Sequence, residues 1–347
     1  MIKTGVVFAA AILLLVAGGW LSFVTIEPTA RFLPPRTVSI HPGESMAAAA
    51  RQLRRRGVIQ SRLVFILYAE LSGQAGQIKP GDYAFKGGET MVAVLRHLVN
   101  GDFMVVTVTI PEGLTVHQIG ERLEAAGLLC DNVFDRATRN GPVPRALGLG
   151  VLGAEGFLFP ATYRFSPLVG ANQVVSTMLQ RFYSVLTPQV EQRIFQLKLD
   201  VRQIVTLASI VEKEAAVPSE RRLIASVFYN RMTHGMPLQS DPTAQYNFAG
   251  EIERAAIAVH APSAFNTYTI PGLPPGPIAN PGLDSIMAVL YPAHSDYLYF
   301  VARNDGTHVF SRSFHEHQHA IEELKRVSSN GGRQGQPGDS HRQRSGE

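Results

Sequence analysis

The alternation of apolar and polar positions divides this chain into a leading apolar run, a series of short strands and helices, and a polar tail. Residues 6–24 are apolar and carry no charge, with Trp20 and Phe23 near the far end. That is roughly the 20 residues a membrane-crossing helix requires. Ala17-Gly18-Gly19 could serve as the cleavage site of a signal peptide. The run is longer than a signal core and continues past Trp20, which favours an uncleaved anchor. Arg31 and Arg36 lie just beyond it, so charge bias settles its orientation poorly. A start-transfer anchor with so short a head normally sends the following chain outward.

After a Pro/Arg linker at 28–35, residues 37–40 alternate as a strand does, and Pro42-Gly43 turns the chain into a helical stretch at 45–56. Residues 105–110 alternate in the same way, Pro111-Glu112-Gly113 forms the turn, and Thr115 can cap a helix that runs through 126. The two units share one design. Between them the pattern predicts a helix at 63–71, a strand at 81–85 and a helix at 91–99. The first unit is therefore a small β-α-α-β module about the size of a carbohydrate-binding domain, or a spacer of that size. Residues 140–156 are rich in Gly and Pro and read as a connection; 155–163 is an aromatic segment. Helices are expected at 173–186, 201–216 and 219–232, the last with Ser219 as its N-cap. A polar loop occupies 238–243, and the prolines of 265–281 exclude regular structure there. Asn304-Asp305-Gly306 signals a hairpin between 297–302 and 308–310, a closing helix spans 314–327, and the Gly/Ser/Gln/Arg tail from 328 lacks the composition to fold.

Composition narrows the function classes. The 347 residues suffice for two domains, and the 45% apolar and 17% charged fractions are those of a folded protein. The formal charge of +4 is mild, and much of the basic excess lies in Arg51, Arg54, Arg55 and Arg56 and in the tail; no aromatic-interleaved basic stripe appears, which speaks against nucleic-acid binding and suits an anionic polymer or membrane face. Cys130 is alone and forms no intramolecular disulfide.

The chemistry concentrates between 206 and 246. On a helix over 201–215, at about 100° per residue, Val201, Ile204, Leu207, Ala208, Val211 and Ala215 form one apolar stripe. Glu212 and Glu214 fall on opposite edges of it, so a regular helix cannot aim both into one cleft. Larger apolar neighbours at i−4 and i−7 weakly favour Glu214 as the desolvated acid. A carboxyl kept protonated in this way is what the leaving oxygen of a glycosidic bond needs. Two solvated glutamates flanking a core helix remain the plainer alternative.

ASIVEKE, SER, ASVFYNRM, GMPLQSDPT, FNTYTIPGLPPGPIANPG and YLYFVA, together with EGFLFPATY, resemble in order and spacing the endolytic murein transglycosylase, or YceG-like, family over about residues 30–326. The resemblance implies an α+β fold with a transmembrane anchor (1–27), a LysM-like peptidoglycan-binding module (28–104), a catalytic domain (105–327) and a disordered tail (328–347). The implied activity is cleavage of the MurNAc–GlcNAc bond inside nascent peptidoglycan strands without water, leaving 1,6-anhydro ends. A single acid/base suffices because the nucleophile belongs to the substrate. The family's catalytic glutamate corresponds to Glu214. Glu212, Gln239, Ser240, Asp241, Thr243, Tyr246, Asn266, Tyr268 and Thr269 are the expected substrate contacts, and Glu155 is a secondary candidate. Each polar residue has a bland alternative; Asp241-Pro242-Thr243 also fits a simple turn. The resemblance further implies a place in the inner membrane facing outward and work beside penicillin-binding synthases, with no cofactor.

Two motifs are set aside. His315-Glu316-His317-Gln318-His319 satisfies H-E-x-x-H, but no third zinc ligand is evident downstream, and a solvated histidine cluster is the better account. Residues 148–153 satisfy G-x-G-x-x-G without following a clear strand. The rival functions are a non-catalytic peptidoglycan-binding scaffold and a muramidase-type hydrolase.

Overall fold

The computed structural model describes residues 36–142, 153–246 and 262–331, with residues 15, 16, 18–20, 144 and 148 in addition. Most of the expected anchor, the linker at 28–35, residues 149–152 of the G-x-G-x-x-G segment and the tail beyond 331 lie outside the described residues. Among those described, no helix is long and apolar enough to cross a membrane. The architecture is mixed α+β, with three two-stranded sheets among the described residues. The chain divides into two compact units: Met1–Val108 with Ala126–Leu128 and Arg164–Val169, and Thr109–Ala125 with Leu129–Tyr163 and Gly170–Glu347.

The first unit contains β1 (Arg36–Ile40), α1 (Met46–Arg55), α2 (Arg62–Leu71), β2 (Gly81–Phe85) and α3 (Met91–Asn100). β1 and β2 are antiparallel, with Arg36 opposite Phe85 and Ile40 opposite Gly81. Strand periodicity puts Val38, Ile40, Tyr83 and Phe85 on one face, buried against Ala49, Leu53, Phe65 and Leu95. The side chains of Ser45, Ser61 and Thr90 cap the three helices by accepting from Ala48, Val64 and Ala93 N–H. The β-α-α-β module and the helix after it form as the pattern predicts.

The repeated design recurs at β3 (Val106–Ile110) and α4 (Val116–Ala125). Gly43 and Gly113 occupy the same left-handed turn, both at φ 77. Thr115 accepts from Gln118 N–H at 3.2 Å while the Gln118 side chain accepts from Thr115 N–H at 3.0 Å, a capping box. β3 pairs with β4 (Ala161–Phe165). α5 (Asp131–Asn140), α6 (Ala171–Tyr183) and α7 (Pro188–Gln196) precede the central helix, α8 (Val201–Glu214).

α8 starts at a capping box made by Asp200 and Gln203. Its middle, Ile204 to Val211, is buried on all sides, packed by α9 (Arg221–Thr233), the short α10 (Asp241–Gln245) and α11 (Leu283–Leu290). Ser219 is not an N-cap. Pro218–Glu220 form a 3-10 turn, α9 begins at Arg221, and no side chain caps it. The expected hairpin forms from β5 (Tyr299–Ala302) and β6 (His308–Ser311), with Phe300 opposite Phe310. The closing helix α12 (Phe314–Gly331) continues past 327.

Candidate active site

α8 ends at Glu214, because Ala215 leaves helical geometry at ψ 98. The buried helix thereby delivers a carboxyl at its last turn to the edge of a cleft of about 420 Å³ in the second unit. Glu214 Oε1 accepts a 2.5 Å hydrogen bond from the Ser240 hydroxyl. Burial pushes the Glu214 carboxyl up to about 7. The Ser240 bond opposes this, the negative charge of Asp241 adds to it, and the Arg231 guanidinium opposes it. Desolvation wins, and Glu214 holds its proton close to neutrality.

The loop that carries Ser240 is locked from below. Gln239 N–H donates to Thr267 O at 3.1 Å, and Ser240 N–H donates to Thr267 Oγ1 at 3.0 Å. Thr243 Oγ1 contacts Thr267 Oγ1 at 2.7 Å and donates to Ser240 O at 2.6 Å. These bonds hold Gln239 at φ 50, a left-handed conformation that costs a non-glycine residue roughly 1–2 kcal/mol. Such local strain is typical of a loop shaped for a ligand. Tyr268 donates its hydroxyl to Asp241 Oδ1 at 2.5 Å, fixing an aromatic face at the cleft.

The structure thus brings Glu214, Gln239, Asp241 and Tyr268 to one cleft, with Ser240 joined to it through Glu214. The other expected residues lie elsewhere. Thr243 and Asn266 are fully buried; Thr243 locks the loop, and Asn266 accepts from Tyr268 N–H at 3.0 Å. Thr269 donates to Asn266 O. Glu212 points away, as the helical wheel requires: it pairs with Arg221 at 3.2 Å and accepts from Gly282 N–H at 3.0 Å.

Tyr246 is buried against Phe265, with ring centroids 4.8 Å apart, and donates to Glu155 at 3.3 Å. Glu155 also accepts from Val116 N–H at the start of α4 and from Asn280 Nδ2 at 3.0 Å. Burial pushes its carboxyl up to about 7 as well, but it is enclosed in the core and does not line the cleft. Among the described residues no group of three or more His, Cys, Asp and Glu side chains could hold a metal ion.

Arg231 and His308 line the cleft without having been singled out in the sequence, and His317, set aside there as part of a solvated cluster, lines it too. Arg231 is buried. It donates to Leu298 O at 2.6 Å and Leu238 O at 2.8 Å, with its guanidinium 5.2 Å above the Tyr299 ring. It therefore ties the polar loop to the start of the hairpin. His315 and His319 are exposed, whereas His317, between them, stacks on Tyr299 at 5.3 Å.

Residues 38–323 match the YceG-like family. A Bacillus subtilis (strain 168) protein named endolytic murein transglycosylase is 33% identical over 84% of this chain and 85% of its own length. A protein of the same name from Streptococcus pneumoniae (serotype 2, strain D39 / NCTC 7466) is 32% identical over 83% of this chain, and the match spans 58% of that longer protein. The crystal structure of a YceG-like protein from Listeria monocytogenes superposes with a TM-score of 0.58 at 30% identity, covering 84% of this chain and 100% of that one. Sequence and fold agree over both units, and the chain belongs to the YceG-like family.

Proposed function

We propose that this protein is an endolytic murein transglycosylase, with Glu214 as its acid and base. The carrying observation is a carboxyl raised to about 7 at the edge of an aromatic-lined cleft. Glu214 donates its proton to the glycosidic oxygen between MurNAc and GlcNAc as the C1–O bond breaks. The MurNAc 6-hydroxyl oxygen then bonds to the same C1, and its proton passes to the Glu214 carboxylate. The acid is restored, no water is consumed, and a 1,6-anhydro end remains. One carboxyl suffices for both transfers, which fits a helix that turns Glu212 elsewhere. Gln239, Asp241 and Tyr268 supply the polar groups and aromatic face that position the sugars.

The first unit serves as a LysM-like peptidoglycan contact in this reading, and residues 6–24 anchor the protein in the membrane with the cleft outside. Strand termination beside a penicillin-binding synthase follows from that placement. Mass spectrometry of peptidoglycan strands incubated with the protein and with Glu214→Gln tests the chemistry. Anhydro ends that vanish in the variant support the proposal. Reducing ends mean a hydrolase instead, and intact strands bound by folded protein mean a scaffold. Membrane fractionation of the full chain against residues 28–347 tests the anchor; equal solubility would sink it.

A further inference from the structure

Glu220 stands at the start of α9, where a carboxylate commonly serves the unpaired N–H groups of the first turn. It caps nothing there. Both of its oxygens go instead to one residue on the hairpin. Oε1 accepts from His308 N–H at 3.1 Å, and Oε2 lies 2.7 Å from His308 Nδ1. The two side chains are 16% and 6% exposed, so the pair is a largely dry, two-point clamp. A carboxylate can only accept, so Nδ1 carries a hydrogen and Nε2 is the ring nitrogen left for another group. Nε2 has no hydrogen-bond partner among the described residues and is not fully enclosed. His308 lines the same cleft as Glu214, edge-on to Phe300 at 5.3 Å, and Tyr299 and His317, stacked on each other, line it too. A fixed ring nitrogen among aromatic side chains suits a sugar, whose hydroxyls hydrogen-bond and whose C–H groups pack on rings.

We propose that the hairpin side of the cleft is a saccharide subsite in which His308 Nε2 hydrogen-bonds a sugar hydroxyl, with Glu220 as the residue that orients the ring. This rests on the transglycosylase reading and adds a substrate contact to it. A ligand lacking the hydroxyl would leave Nε2 unpaired on binding and be rejected.

The test uses the full-length chain with nitrogen-15-labelled histidine, in a Glu214→Gln background that prevents turnover. The probe is a tetrasaccharide of alternating GlcNAc and MurNAc. Before addition, the His308 nitrogen shifts should show hydrogen on Nδ1; on addition, the Nε2 resonance should move. His308→Phe should weaken tetrasaccharide binding tenfold or more while the melting temperature stays within a few degrees. His308→Gln, which restores a polar group near the Nε2 position, should recover part of that loss. Glu220→Gln should shift the hydrogen balance between the two ring nitrogens. An unmoved Nε2 resonance at saturation, or full-strength binding by His308→Phe, overturns the proposal and leaves a structural clamp. If His308→Phe does not fold, the titration of the protein with His308 intact decides alone. Strand cleavage by the native chain with an unmoved Nε2 overturns the subsite only. The absence of both cleavage and binding overturns the transglycosylase reading and the subsite with it.

Discussion

At Glu214 a single proton separates the active from the inactive acid. The leaving oxygen takes that proton, so kcat/KM on peptidoglycan strands should fall as pH rises through about 7, where the carboxyl loses it. The Ser240 hydroxyl stabilises the charged form. Ser240→Ala should therefore move this descending limb to higher pH, and a limb that stays or moves down would contradict the geometry. A Glu214 facing apolar surroundings was legible in the sequence because helical periodicity is a local property. Thr243 and Asn266 were not legible as buried loop locks, since a polar residue bonded to its own loop has the same letter as one facing a ligand. Arg231 and His308 were invisible for the opposite reason. Their partners, Leu298 and Glu220, lie 67 and 88 residues away in the sequence. Glu155 has a consequence in pH and stability. Its folded-state value near 7 is above the ordinary 4.5, so its contribution is full below pH 4.5 and is lost as pH rises to about 7. The loss is on the order of 3 kcal/mol. Melting temperatures across that window should fall less steeply in Glu155→Gln than in the parent; equal slopes would show that the carboxyl does not titrate there.

Elements declared themselves in proportion to their length and their caps. β1, β2, α1 and α3 were evident from the periodicity of their apolar positions, and the structure adds Ser45 and Thr90 as the caps of the two helices. α10 was not, because five residues with a proline in the first turn show no period. α11 is a short apolar run that reads as strand or helix alike, and only its packing on α8 and α9 decides. α7 starts with Thr187 and Pro188, a good helix opening, but its apolar face is small. α8 is the element on which the site depends. Asp200→Ala should remove its N-terminal cap at a cost of about 1 kcal/mol, read as a lower melting temperature. Turnover at 25 °C should be unchanged, because the cap and the acid stand at opposite ends of a well-packed helix. A fall in kcat without a fall in melting temperature would mean that the helix transmits its end geometry to the cleft.

At the scale of the whole molecule, the hydrogen bonds of Asn280 join segments far apart in the second unit. Its side chain donates to Leu114 O at 2.9 Å and to Glu155, and accepts from Leu158 N–H at 2.8 Å. The first of these bonds joins residues 166 positions apart. Segments from the beginning, middle and end of the second unit thus meet at one amide side chain. No local fluctuation can release one of them without leaving a buried donor or acceptor unpaired. In native-state hydrogen exchange, the amides of Val116, Leu158 and Asn280 should therefore open together, at the free energy of unfolding the entire unit. Joint opening would mark the unit as a single foldon, one frame that yields only as a whole.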